Sequence, residues 1–172
     1  MNIPILSSLI LLPLIGSFFI FFNKSSEKNR TIKYVSIFIT FSNFLLALYL
    51  WYIFDKTISD FQFIEDREWI SGLINYKVGI DGISILFVVL TAFITPLCVI
   101  SVISTIKYRL KDFLIAILIM ESLMIGVFCS LDLVVFYLFF EGGLIPMFLI
   151  IGIWGGERLS LIHISEPTRH SA

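Results

Sequence analysis

The sequence predicts an all-α membrane protein with about five transmembrane helices. Of its 172 residues, 58% are hydrophobic and only 15% are charged, whereas soluble domains carry about 25% charged residues. The apolar residues fall in runs of about twenty, the length that a helix rising about 1.5 Å per residue needs to cross a bilayer. No phosphate-binding loop, dinucleotide fingerprint or metal-ligand cluster interrupts these runs, so we expect no cofactor in this chain.

The first two predicted helices cover residues 3–22 and 34–54. Residues 3–22 lack the basic stretch and the small-residue cleavage site of a secretory signal, so we expect this segment to be retained as a membrane helix. The second helix closes with Tyr49, Trp51 and Tyr52. Aromatic rings of this kind gather where a membrane helix leaves the hydrocarbon layer.

The longest polar segment, residues 55–79, separates the second helix from the third. It is mildly acidic and holds short alternating patches: Phe61 and Phe63, Trp69 and Ile70, and Tyr76 and Val78. Alternation of apolar and polar residues is typical of half-buried strands. We therefore predict a small β-hairpin over the membrane surface.

The last three predicted helices cover residues 83–106, 112–130 and 132–153. Asp81 and Asp132 stand at the starts of the third and the fifth, where a carboxylate commonly caps the first amides. We interpret both as helix-start residues. Only Leu131 and Asp132 separate the fourth helix from the fifth, so these two helices must form an antiparallel hairpin.

Two connecting loops, residues 23–33 and residues 107–111, carry most of the positive charge. Loops rich in lysine and arginine stay on the cytoplasmic side of a membrane. We therefore expect both loops to face the cytoplasm, or the matrix in an organelle. Residues 55–79 and the turn at Leu131 would then lie on the opposite side.

One carboxylate stands near the middle of the apolar stretch 131–156. Glu141 is followed at once by Gly142 and Gly143, and then by Pro146. A charge at that depth costs at least about 2.5–3.5 kcal/mol on insertion scales, so such acids usually serve a function. Pro146 removes one helical donor and crowds the Gly142 carbonyl. We predict a helix break here, beside a protonatable carboxyl.

A second acid, Glu121, lies inside the fourth helix. Glu121 comes ten residues before Leu131, and Glu141 comes ten residues after it. At about 1.5 Å per residue, both carboxylates fall near the bilayer midplane. Carboxylates at that depth can relay protons, bind a coupling cation or anchor neighbouring helices through hydrogen bonds. The residues alone leave these alternatives open.

The C-terminal residues 159–172 depart from the membrane pattern. They include His163 and His170, the only histidines of the chain, and LSLIHISEPTRH resembles the translation of a sequencing-library adapter. We interpret residues 1–158 as the membrane domain and residues 159–172 as a non-native tail, which we exclude from functional reasoning.

Four segments carry a resemblance to a known family: VGIDGIS (78–84), TPLC (95–98), ESLMIGVF (121–128) and DLVVFYLFFEGGLIPMFLIIGIWGG (132–156). They resemble the M-subunit, or chain 4, family of proton-pumping NADH:quinone oxidoreductase, which is respiratory complex I. The resemblance extends over residues 1–158. The segment FFEGGLIPMFLIIGIWGG is the most specific part of this resemblance.

The resemblance implies an N-terminal piece of a fourteen-helix antiporter-like subunit built from two inverted five-helix repeats. It implies that Glu141 pairs with a lysine on a later, broken helix and gates proton transfer, and that Glu121 takes part in the same relay. It also implies that NADH, FMN, iron–sulfur clusters and quinone bind to other subunits. The expected partners are those subunits and the lipid bilayer of a bacterial or mitochondrial inner membrane, with no nucleic acid.

Two other functions compete with this one. Membrane subunits of multi-chain cation/proton antiporters and of membrane hydrogenases resemble this chain too. Its segment GGLIPMFLIIGIWGG, however, is closer to the sequence of the respiratory subunit. Alternatively, the chain is a small structural membrane protein whose acids only join helices. Exchanging Glu141 for glutamine would separate a relay from a structural role.

Overall fold

The computed structural model describes residues 4–22, 30–58, 60–70 and 74–155. Within these ranges the elements are α1 (Ile5–Phe22), α2 (Arg30–Ile53), β1 (Gln62–Ile70), β2 (Ile74–Ile80), α3 (Ser84–Thr105), α4 (Leu110–Cys129) and α5 (Leu133–Trp154). All five helices are long and apolar enough to cross a membrane. The predicted helical membrane fold is confirmed, and the predicted hairpin is present.

Some of the sequence predictions concern residues outside the described ranges. These are the part of the first basic loop at residues 23–29, the end of the membrane domain at residues 156–158 and the tail at residues 159–172.

The observed helix boundaries differ from the predicted ones by at most four residues, and the largest difference is at the start of α2. Arg30 and Lys33 belong to α2 because charged side chains can continue a helix beyond the hydrocarbon layer, where the apolar pattern no longer marks it. α4 starts at Leu110, directly after Arg109, which has a left-handed backbone with φ of 50°. The Arg109 guanidinium pairs with Asp112 at 2.8 Å in the first turn.

α4 is the central helix of the bundle. It packs against α1, α3 and α5 and makes a smaller contact with α2, which packs mainly on α3 and α1. Eleven residues of α4 are buried, compared with two in α5. α5 therefore lies at the edge of the described bundle and presents most of its surface outward.

The buried apolar side chains form two clusters along the bundle. The cluster at the hairpin end includes Leu6, Leu9, Leu50, Val88 and Ile125. The cluster at the opposite end includes Ile20, Ile32, Val99, Leu114 and Leu118. Seven buried polar residues of the described ranges lie between the two clusters along their helices, and we call them the polar layer: Ser17, Ser36, Thr40, Asn43, Thr95, Glu121 and Ser122.

The hairpin is antiparallel, and it docks on the turn between α4 and α5. Asp66 faces Lys77 across the two strands, and their side chains form an ion pair at 3.5 Å. The amide of Leu131 donates to the carbonyl of Lys77 at 2.9 Å, and Val78 pairs with Ser130 in an isolated bridge. The hairpin and this turn therefore share one end of the bundle, as predicted.

The opposite end of the bundle joins α1, the α3–α4 loop and α5. The indole Nε1 of Trp154 donates to the carbonyl of Tyr108 at 2.9 Å. Lys111 Nζ donates to the carbonyl of Phe21, at the end of α1, at 3.0 Å. Ile32, near the start of α2, packs in the same buried cluster as Leu110. The loop at residues 107–111 and the start of α2 therefore lie at the same end, and the side of the membrane that this end faces is a prediction.

Both predicted helix-start residues have that role. Asp132 is the N-cap of α5, and its Oδ1 accepts from the amides of Val134 at 2.8 Å and Val135 at 3.2 Å. Asp81 lies in the turn before α3, where its Oδ1 accepts from the amide of Ser84 at 2.7 Å. Hydrogen bonds from the amide and hydroxyl of Ser84 hold the pKa of the Asp81 carboxyl below its usual range.

Candidate functional site

The hydroxyl groups of Ser17, Ser36, Thr40 and Thr95 in the polar layer each donate to a carbonyl of their own helix. Ser17 donates to the carbonyl of Leu14 at 2.7 Å, and Thr95 donates to that of Thr91 at 2.9 Å. Thr40 donates in the same way to the carbonyls one turn before it. Such back-bonding leaves a hydroxyl little need for a partner on a neighbouring helix. The links between helices come from Asn43, Glu121 and Ser122.

Glu121 is the buried acid among the described residues. Its side chain is only 2% exposed, and its partner Asn43 is fully buried. The amide Nδ2 of Asn43 donates to Glu121 Oε1 at 2.9 Å, which joins α2 to α4. Within the described residues, Asn43 Oδ1 and Glu121 Oε2 have no hydrogen-bond partner. A buried polar atom left in this way costs about 1–3 kcal/mol, so both oxygens would favourably accept a hydrogen bond from a donor group. Glu121 Oε2 could also bind a proton.

Ser122 fixes α4 against α1 directly beside this acid. Its hydroxyl donates to the carbonyl of Ile10 at 2.5 Å, and it is fully buried. Because consecutive residues on a helix point about 100° apart, the bond of Ser122 to α1 and that of Glu121 to α2 together restrict the rotation of α4. Glu121 is thereby held toward the inside of the bundle.

Glu141 occupies a different environment. Its side chain is exposed, on a helix whose only buried residues are Val135 and Pro146. No ion pair of Glu141 occurs among the described residues. Glu141 therefore points away from the described bundle, where another part of the protein or another subunit could meet it.

The predicted helix break beside Glu141 is wrong: α5 is one uninterrupted helix from Leu133 to Trp154, with Pro146 inside it. A proline removes a single backbone hydrogen bond. In an apolar layer, each further unpaired amide or carbonyl would cost several kcal/mol, which favours continuation of the helix on both sides of the ring.

Gly142 and Gly143 lie on the side of α5 that meets Leu123 of α4. A methyl group on Gly142 would come within 3.4 Å of Leu123, and one on Gly143 within 4.0 Å. These are ordinary contacts, so packing against α4 does not by itself require glycine at either position. The close approach of α4 and α5 occurs instead at Gly126, where an added methyl would lie 2.6 Å from the Phe139 ring.

The two acids lie at matching positions in the α4–α5 hairpin but face different surroundings. Glu121 precedes the end of α4 at Cys129, and Glu141 follows the start of α5 at Leu133, each by about two helical turns. Glu121 turns inward to Asn43, whereas Glu141 is exposed. The described hydrogen bonds do not join them.

Sequence reasoning missed Asn43 and Ser122. Asn43 is the only amide side chain in the apolar second helix, and a buried amide in a membrane helix is a common hydrogen-bonding partner between helices. That signal was present, but the sequence did not show that Asn43 faces Glu121. Within the ranges described, no group of three or more histidine, cysteine, aspartate or glutamate residues could hold a metal ion.

Comparisons with known proteins bear on what this site belongs to. No family model matches the chain. It is 55% identical to NADH-quinone oxidoreductase subunit M of Rhodobacter capsulatus over 130 residues, which cover 76% of this chain and 25% of that protein. It is 46% identical to NADH-ubiquinone oxidoreductase chain 4 of Marchantia polymorpha over 154 residues, or 89% of this chain and 31% of that protein. Subunit M of Rickettsia prowazekii is 42% identical over 161 residues, which cover 92% of this chain and 33% of that protein.

The chain belongs to the NADH-quinone oxidoreductase subunit M (chain 4) family. Identities of 42–55% over most of the described membrane helices decide this, and they confirm the resemblance seen in the sequence. The chain spans about a quarter to a third of the length of these subunit M relatives.

A solved structure supports the same fold at lower sequence similarity. The membrane-bound sulfane sulfur reductase, an archaeal respiratory membrane complex, contains a chain that superposes with a TM-score of 0.70 at 19% identity. The match covers 94% of this chain and 24% of that one. It shows that the fold of this chain, five helices and a hairpin, also occurs in that archaeal complex.

Proposed function

We propose that this chain is part of a proton-translocating membrane subunit of NADH:quinone oxidoreductase, in which electron transfer from NADH to quinone drives proton pumping. The observation that carries the proposal is the carboxyl of Glu121, buried to 2% exposure between two apolar clusters and held by one amide. A buried carboxyl with a free oxygen can hold a proton or release it when its surroundings change. That property is what a relay requires.

In this proposal, Glu121 and Glu141 act at two positions of one relay. Glu121 exchanges a proton inside the bundle. Glu141, exposed on the outer face of α5, exchanges a proton with a group outside the described bundle. The resemblance implies that this group is a lysine on a later helix. A carboxylate and an ammonium about 4 Å apart attract by about 4 kcal/mol at an effective dielectric near 20, enough to change the protonation state of the acid.

The other subunits of the complex would supply the redox cofactors. NADH, FMN, iron–sulfur clusters and quinone would bind to other subunits, and the partners of this chain would be the neighbouring membrane subunits and lipid. The exposed surface of α5, which includes Leu133, Ile145 and Phe148, fits contact with further helices. The membrane would be the bacterial inner membrane, with the mitochondrial inner membrane as the alternative, since both kinds of relative match.

The experiment that tests the relay is Glu141→Gln in the full-length subunit of the assembled complex. Glutamine keeps the shape of the side chain but cannot carry a proton. We expect proton pumping to fall by about tenfold or more, since general acid–base groups typically contribute at least that much. Retained pumping with normal NADH oxidation would contradict the relay. Glu68→Gln, on an exposed position of the hairpin, is the matched control and should pump normally.

A cation/proton antiporter or a membrane hydrogenase remains the second candidate, and the fold likeness to the archaeal sulfur-reducing complex does not separate it from the first. Sequence identity favours the NADH:quinone oxidoreductase. Purification of the intact complex decides between them, because an antiporter would move cations without any NADH-oxidising activity.

A further inference from the structure

We propose, on the basis of the proton-relay function above, that Asn43 is a positioning residue for Glu121. Asn43 holds one carboxyl oxygen, Oε1, through its amide Nδ2 at 2.9 Å. The other oxygen, Oε2, is then the atom that takes up and releases the proton. Nothing in the resemblance assigns Asn43 this role.

The geometry singles out this pair. Asn43 and Glu121 are 78 residues apart in sequence, yet both are buried and in contact where α2 crosses α4. The hydroxyl of Thr40, one turn before Asn43, bonds to its own helix. Glu121 thus receives its side-chain hydrogen bond in the polar layer from Asn43.

The bond suits both protonation states of the acid. Oε1 accepts from Nδ2 whether or not Oε2 carries a proton, so the carboxyl keeps its orientation during exchange. Uptake converts the carboxylate and a hydronium ion into the carboxylic acid and water, and release is the reverse. Asn43 Oδ1 is buried without a partner among the described residues, so it offers a second acceptor to a proton-carrying water beside Oε2.

The experiment uses the full-length subunit in its membrane complex and four variants: Asn43→Leu, Asn43→Gln, Glu121→Gln and the control Thr40→Val. Infrared difference spectroscopy identifies the carbonyl stretch of protonated Glu121 as the band lost in Glu121→Gln. We expect Asn43→Leu to move this band to higher frequency, because the carbonyl no longer accepts a hydrogen bond. Thr40→Val removes an equally buried polar group from the same helix and should leave the band in place.

Proton pumping gives the second measurement. Loss of one hydrogen bond should reduce pumping by Asn43→Leu about two- to tenfold, and Asn43→Gln, which keeps an amide donor, should restore part of it. A band that does not move in Asn43→Leu overturns the positioning role. Should that variant fail to assemble, Asn43→Ala removes the amide donor without adding bulk and is judged by the same band.

The relay role of Glu121 and the positioning role of Asn43 can be refuted separately. Normal pumping by Glu121→Gln would remove Glu121 from the relay, whereas the position of the carbonyl band would still decide whether Asn43 holds the carboxyl. Reduced pumping by Glu121→Gln, together with an unmoved band in Asn43→Leu, would leave the relay standing and refute the positioning role.

Discussion

Glu65 of β1 caps the first helix from 59 residues away: its Oε1 accepts a hydrogen bond from the amide of Leu6 at 2.9 Å. The same carboxylate accepts from the hydroxyl of Ser7, which also lies 3.1 Å from the Tyr76 hydroxyl. The first amides of a helix have no partner inside the helix, and a negative charge near them is favourable. The hairpin is therefore tied to the bundle by a polar contact as well as by apolar packing.

Replacing Glu65 by alanine should destabilise the subunit by about 1–2 kcal/mol, as expected for the loss of a helix cap. Glu65→Gln keeps the accepting oxygen and should cost less. The measurement is thermal unfolding of the full-length subunit in detergent. Glu68→Ala, on an exposed position of the same strand, is the control. Equal melting temperatures for Glu65→Ala and Glu68→Ala would show that the cap contributes nothing.

The cap of α5 gives a second prediction. Asp132→Ala removes the acceptor for the amides of Val134 and Val135, and we expect a loss of about 1 kcal/mol. Asp132→Asn retains a side-chain oxygen and should lose only part of this. Hydrogen exchange of the amides at the start of α5 measures the effect locally. Faster exchange throughout the bundle, without a local excess at α5, would contradict a capping role.

The sequence was sufficient for the helices because each apolar run matches a bilayer span, and this length does not depend on tertiary contacts. It also placed Asp81 and Asp132 correctly, because capping is local in sequence. It failed at Pro146, where the missing hydrogen bond suggested a break. The apolar environment favours an unbroken helix, and composition alone does not weigh these opposing effects.

The contacts of the candidate site could not be predicted in the same way. Whether Glu121 faces Asn43 or Glu141 depends on the rotation of α4, which is set by contacts such as that of Ser122 with the Ile10 carbonyl. Such contacts join residues more than a hundred positions apart. The matching positions of the two acids followed from counting residues, but their different surroundings required the packed structure.

The start of α3 should make stability depend on pH. The pKa of Asp81 is lowered in the folded state by hydrogen bonds from Ser84, so this group stabilises the fold above its unfolded pKa of about 3.9. The contribution is lost as the pH falls through the lower, folded-state pKa. Unfolding measured between pH 6 and pH 3 should show a smaller acid-induced loss for Asp81→Asn than for the unaltered protein. Identical pH profiles would contradict the prediction.

The close approach of α4 and α5 depends on Gly126. An added methyl would lie 2.6–2.8 Å from atoms of the Phe139 ring, so the ring or the helix must shift to make room. Gly126→Ala should therefore destabilise the subunit by about 1–3 kcal/mol, as overpacking typically does.

The control is Gly152→Ala in α5, where no described atom lies within 4 Å of the added methyl and alanine favours the helix by up to about 1 kcal/mol. Thermal unfolding should show a lower melting temperature for Gly126→Ala and an equal or higher one for Gly152→Ala. Phe139→Leu removes the obstructing ring, so combining it with Gly126→Ala should cost less than the two changes added together. Strictly additive changes in the free energy of unfolding would mean that the two residues are not in steric contact, since contacting pairs show coupling energies of about 0.5–3 kcal/mol.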